Sequence, residues 1–427
     1  MRNASYKCEE LIPRAGKIPW ITFVFLGVVF FMVQHDLFQS LTTGTGNLAQ
    51  DIAKRVALGD VIHRVTLSVL GIFGAVGLMR RGTNLLKIHG ALGWLSLFFL
   101  IWAFSSLAWA DDTVLTLRKL AILAMLTLGA LAVTKHFSLR DIVLWVFFSS
   151  TSYLLIGLLV EIVLGTFRPF GLDYRFAGTL HPNSQGTNCA LLFFSGITAA
   201  RITKHGRSLF WAFAVIGLIF LVLTKSRTAF ASTILALFFY WGLTLSSSRK
   251  LISIMGVSVV FCLLLIIFGE AIFPIFWRAI IFGREENIST LTCRVPLWAE
   301  CAKYVARHPI RGYGFGGFWT PGHVEEISNV VDWGIGASHS AYLELILNLG
   351  IIGMVAYVLI LVVSIVQSCV LYRTLIIPTY SFFAIVLIFC ALDGLLESGF
   401  LDPAPINFLC IVSFVHFGFG DRRFPHK

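Results

Sequence analysis

Long unbroken apolar runs, separated by polar connections, organise this chain; amphipathic stripes do not. Twelve runs fall at about residues 19–33, 65–79, 91–109, 114–133, 141–165, 185–200, 208–223, 228–245, 251–273, 350–372, 375–392 and 404–419. A helix needs about twenty apolar residues to cross the hydrocarbon of a bilayer. Membrane-spanning strands would alternate apolar and polar positions, and these runs do not. The pattern predicts an all-α integral membrane protein of about twelve transmembrane helices. Several runs are short, so their helices are expected to extend into polar flanks or to tilt little. The chain reads as a single polytopic membrane domain over residues 1–427, with one long connection, 274–349, large enough for a small extramembrane subdomain.

Composition agrees. The chain is 57% hydrophobic and 13% charged, where a soluble protein carries about 25% charged residues. Mean hydropathy is +0.84. The formal charge of +11 does not mark a nucleic-acid binder, because Lys and Arg gather in the cytoplasmic loops of membrane proteins. With the N-terminus inside, the cytoplasmic segments hold 18 of the 33 basic residues and four of the 22 acidic ones. Dropping one span would invert every later loop and destroy that bias. Both termini are therefore expected in the cytoplasm, and the long loop between spans 9 and 10 outside.

The basic segment Met1–Lys17 and the run after it resemble a signal sequence. No small-residue cleavage site follows, so the run reads as an uncleaved first span. "GNLAQDIAKRVALGD", in the outer segment 34–64, fits an interfacial helix. The eight cysteines form no CxxC or Cys/His cluster. Cys293 and Cys301 share the long loop, and a disulfide between them stays open. On one straight helix they would stand about 12 Å apart, beyond bridging distance.

Four polar groups stand out, all outside in this topology. In "TKSRTA", Lys225 and Arg227 occupy a tight turn at the boundary of span 8. Two cations snorkelling to the interface would explain them; an ionisable residue at that depth also marks function. In "STLTCRVPLWAECAKYVARHPIRGYGFGGFW", Arg294 sits just before a helix that has Pro296 in its first turn. The glycines satisfy G-x-G-x-x-G, but no strand precedes them, so a dinucleotide site is excluded. They are expected to turn the chain and seat Phe315, Phe318 and Trp319 at the membrane surface. "HPN", His181 to Asn183, opens span 6, where Asn or Ser suits a helix cap. Finally, "SHSAYLELILNLG" places His339 at the start of a helix that Ser338 or Ser340 can cap, with Glu344 further in. The helix dipole there disfavours imidazolium, so a neutral His339 is available as a base. Metal-binding motifs and a G-x-S-x-G nucleophile are absent from the sequence.

Taken in order, Arg227 in its outer turn, Arg294, "HPIRGYGFGGFW" and "SHSAYLELILNLGIIG" resemble the O-antigen ligase and bacterial polysaccharide polymerase superfamily. The likeness covers about residues 170 to 375. It implies a membrane glycosyltransferase that works without metal or cofactor, in the bacterial inner membrane, with its active site on the periplasmic side. The implied donor is a glycan on undecaprenyl diphosphate. The acceptor is another lipid-linked repeat unit in a polymerase, or lipid A-core in a ligase. Carried over by motif, His339 takes the place of the catalytic histidine, and Arg227 and Arg294 those of the diphosphate-contacting arginines. His181, Asn183, Lys225 and Glu344 are supporting candidates, Glu344 as an orienter of His339. The "GYGFGGFW" segment is more similar to the polymerases. The residues' own chemistry agrees: a departing diphosphate needs its charge neutralised, and arginine does so bidentately. A transporter of lipid-linked oligosaccharide is the reading from another class, but such proteins often show two similar halves and midplane polar sites.

Overall fold

The structure, a computed structural model, describes residues 20–34, 61–79, 87–171, 174–244, 294–331, 333–398 and 403–420. Every regular element among them is helical. In chain order they are α1 (Trp20–Gln34), α2 (Val61–Met79), α3 (Gly90–Ser105, continued by a 3-10 turn Ser106–Trp109), α4 (Thr113–His136), α5 (Leu139–Val163), α6 (Pro182–Ile202), α7 (Arg207–Leu223), α8 (Arg227–Thr244), α9 (Arg294–Arg307), α10 (Pro321–Val331), α11 (Ala341–Leu375), α12 (Pro378–Asp393) and α13 (Pro405–Phe419).

Helices stand at eleven of the twelve predicted runs. The ninth run, the interfacial segment "GNLAQDIAKRVALGD" and Cys293 lie outside the described residues. Five helices are long and apolar enough to cross a membrane: α2, α3 with its 3-10 turn, α4, α5 and α11. Helices α7, α12 and α13 are apolar but shorter, at 15 to 17 residues.

Helix α6 lies at the centre, packed by α5, α7, α8 and α12. It is the most polar of the central helices, and its buried hydroxyls return to their own backbone: Ser195 to Leu191 O at 2.6 Å, Thr198 to Phe194 O at 2.9 Å. A buried hydroxyl satisfied in this way escapes the cost of an unpaired polar group. Helix α4 packs on α2 and α13, and α11 on α3 and α12. Apolar faces of these helices close into one large core.

Helix α11 is two pieces joined at Gly350, whose φ of 67° and ψ of −172° no side-chain-bearing residue readily adopts. The break strips Leu347, Asn348 and Leu349 carbonyls of helical partners. The "GYGFGGF" turn replaces them: Tyr313 and Gly314 N–H groups donate to Leu347 O and Asn348 O, each at 2.9 Å. Trp102 Nε1 donates to Leu349 O at 3.0 Å. A Cβ on Gly350 would lie 2.0 Å from Ile310 O, so the turn and the break fit only through glycine.

The aromatics of that turn depart from expectation. Phe315, Phe318 and Trp319 are buried inside the protein, not seated at a membrane surface. Phe318 and Trp319 join Leu297, Cys301, Tyr304 and Tyr313 in a second core beneath α9 and α10. The reason is the break in α11, which draws the turn inward to supply hydrogen bonds. Cys301 in this core is a free thiol, and burial pushes its pKa up.

Candidate active site

The starts of α6, α8, α9 and α11, which carry the candidate residues, meet beside the end of α12. Ala341 N–H donates to Gly394 O at 2.8 Å, and Tyr342 Oη to Ala391 O at 2.8 Å. These bonds pin the start of α11 to the end of α12.

Ser340 caps α11, its hydroxyl accepting from Leu343 N–H at 3.5 Å. His339 precedes it with φ of 54°, a left-handed conformation. Such a conformation costs about 1–3 kcal/mol in a non-glycine residue. The neighbouring Ser338 is gripped at three points. Its N–H donates to Glu344 Oε1 at 2.5 Å, its carbonyl accepts from Trp298 Nε1 at 2.9 Å, and its hydroxyl donates to Ser340 O at 3.0 Å. A bond to a charged partner contributes about 1.5–3 kcal/mol and a neutral one about 1 kcal/mol, so together they outweigh the strain.

Glu344 therefore acts on the backbone beside His339, not on its ring. The buried carboxylate also accepts from Trp319 Nε1 at 2.8 and 3.0 Å and from Asn348 Nδ2 at 3.2 Å. It joins the glycine turn, the broken helix and the His339 loop. The imidazole itself lies against Trp333, ring centroids 5.7 Å apart and 22° between planes. Among the described residues it makes no hydrogen bond, so both ring nitrogens are open to a ligand. Its pKa is lowered first by burial, and further by the neighbouring Arg294 and His181, with the Glu397 carboxylate opposing. The helix start predicts the same direction; burial is the larger cause.

Arg294 is the first residue of α9 and pairs with Glu397, Nη2 to Oε1 at 2.9 Å. The pair is end-on, and among the described residues this is the guanidinium's one hydrogen bond. Arginine has five N–H donors, so among the described residues most of the fork has no partner, although the side chain is only 14% exposed.

His181, not Asn or Ser, caps α6: its Nδ1 accepts from Asn183 N–H at 3.3 Å. That frees the Asn183 amide, which donates from Nδ2 to Glu397 Oε1 at 2.9 Å and accepts from Arg175 Nη2 at 2.9 Å. Arg175 in turn donates from Nε to Thr224 O at 3.0 Å. Lys225, with φ of 50°, makes the tight turn between α7 and α8. Arg227 opens α8, and its neighbour Thr228 donates to Glu397 Oε1 at 3.3 Å.

Arg294, His181 and His339 thus gather around Glu397, with Asn183 and Thr228 bonded to it. Arg227 is tied to the cluster through Thr228. Sequence reasoning missed Glu397, Arg175 and Trp333. Glu397 is 214 residues from Asn183 and 103 from Arg294, so no local pattern links them. The signal available for Glu397 is a carboxylate just beyond an apolar span.

A polytopic helical membrane protein with a largely buried cationic fork beside a histidine that makes no hydrogen bond among the described residues defines the class. Residues 212–358 match the family model described as O-Antigen ligase. The match covers part of the chain; it supports a likeness to the O-antigen ligase-like superfamily and a role in membrane glycan assembly. No curated protein matches the chain. The matched segment contains Arg227, Arg294 and His339, whereas Arg175, Asn183 and Glu397 fall outside it.

Proposed function

We propose that this protein is a glycosyltransferase that moves a glycan from an undecaprenyl-diphosphate carrier onto a sugar hydroxyl, as an exopolysaccharide or O-antigen polymerase. The observation that carries the reading is the pairing, among the described residues, of an imidazole that makes no hydrogen bond and a largely buried Arg294 that uses one of its donors. Arg294 and Arg227 bind the donor diphosphate. His339, neutral in its buried site, accepts the proton of the acceptor hydroxyl. That oxygen bonds to the anomeric carbon as the bond to the diphosphate oxygen breaks, with inversion. The electron pair leaves on the diphosphate, where the arginines stabilise it. Neutralising that charge is the arginines' part, so the reaction as written requires neither metal nor cofactor. Helices α1–α8 and α11–α13 are eleven of the twelve crossings that the apolar runs predict. The site then faces the periplasm of the inner membrane, and both termini lie in the cytoplasm.

The second reading takes lipid A-core as the acceptor, as an O-antigen ligase would, and the family description is compatible with it. Purified protein, reconstituted with a lipid-linked repeat unit, separates the readings. Glycan chains that lengthen on the lipid support the polymerase. Transfer only after lipid A-core is added supports the ligase. Translocation with no bond transfer would overturn both.

A further inference from the structure

Glu397 takes no part in the chemistry above, yet three elements of the site meet on it. One oxygen, Oε1, accepts from Asn183 at the start of α6, Thr228 at the start of α8 and Arg294 at the start of α9. We propose that Glu397 is a positioning residue of the transferase, holding the Arg294 guanidinium end-on so that the rest of its fork is presented to the donor diphosphate. The inference rests on the proposed glycosyl transfer and adds a residue that acts through Arg294.

Geometry distinguishes this from an ordinary ion pair. Arginine and carboxylate frequently pair as two parallel forks, which occupies two donors and both oxygens. Here a single contact is made, and Oε1 also holds Asn183 and Thr228. Those two bonds fix the carboxylate, so Arg294 has one anchored acceptor to swing from. Asn183 is itself held through its Oδ1 by Arg175. The guanidinium is therefore oriented by an acceptor that two other helices keep in place. The same negative charge faces His339 together with Arg294 and His181.

Two variants test the proposal in reconstituted protein, with donor and acceptor varied separately. Glu397→Ala should raise the donor KM about ten- to hundredfold while the acceptor KM changes little, the scale of a lost charged hydrogen bond. Glu397→Gln keeps the shape and removes the charge. Its pH profile should show the acidic limb moved to lower pH, because a charge that favours imidazolium has gone. Wild-type donor KM in Glu397→Ala, or a Glu397→Gln profile superimposed on wild type, would overturn the proposal. If Glu397→Ala does not insert, the Glu397→Gln profile decides alone. Inactive wild-type protein under all donors would instead count against glycosyl transfer, and so marks the other failure.

Discussion

Neither ring nitrogen of His339 is committed among the described residues, and that leaves the residue's behaviour to its surroundings. Burial, Arg294 and His181 lower its pKa against the opposing pull of Glu397. A base must be neutral, so activity should rise with pH through this lowered value. The acidic limb of kcat/KM should lie below the ordinary histidine value of about 6.5. A limb above that value in a rate–pH profile would show that another group titrates. Replacing the base outright, His339→Ala, should lower transfer about 10²–10⁴-fold with membrane insertion unchanged. Arg294→Lys keeps the charge but loses the planar fork. Its kcat/KM should fall about tenfold or more, and steady-state kinetics with full activity would argue against a forked phosphate contact.

At the scale of elements, the break in α11 connects the glycine turn to the site. The turn reaches the freed carbonyls of Leu347 and Asn348, and Glu344 links its Trp319 to the Ser338 backbone. Gly350→Ala puts a Cβ into Ile310 O and forces a left-handed residue where only glycine is at ease. It should destabilise the fold by about 1–3 kcal/mol or more from conformation alone. A lower melting temperature in detergent would record it, and an unchanged one would mean that the break is not required. The G-x-G-x-x-G spacing reads as a turn from sequence, since no strand precedes it. Its destination does not, because a Phe-rich segment beside a membrane fits an interfacial belt as well as a core. Long-range backbone hydrogen bonds decided for the core.

For the whole molecule, the apolar runs and the charge bias predict Lys303, 63% exposed on α9, outside and Lys204, after α6, inside. In a cysteine-depleted background, Lys303→Cys should react with a membrane-impermeant maleimide in cells with a permeabilised outer membrane, and Lys204→Cys should not. The reverse pattern would invert the proposed topology. Hydropathy by itself determined the helical class and the positions of the described membrane helices, because a span must satisfy its own backbone and bury apolar side chains whatever its neighbours are. Residue order by itself singled out Arg227, Arg294 and His339. Only the tertiary structure decided what surrounds them. It put Glu397 at the meeting of α6, α8 and α9, gave Glu344 to the backbone rather than the imidazole, and made His181 the cap that frees Asn183. The hydrogen bonds to Glu397, between residues 103 to 214 positions apart, have no period in the sequence. They exist only once the helices have packed.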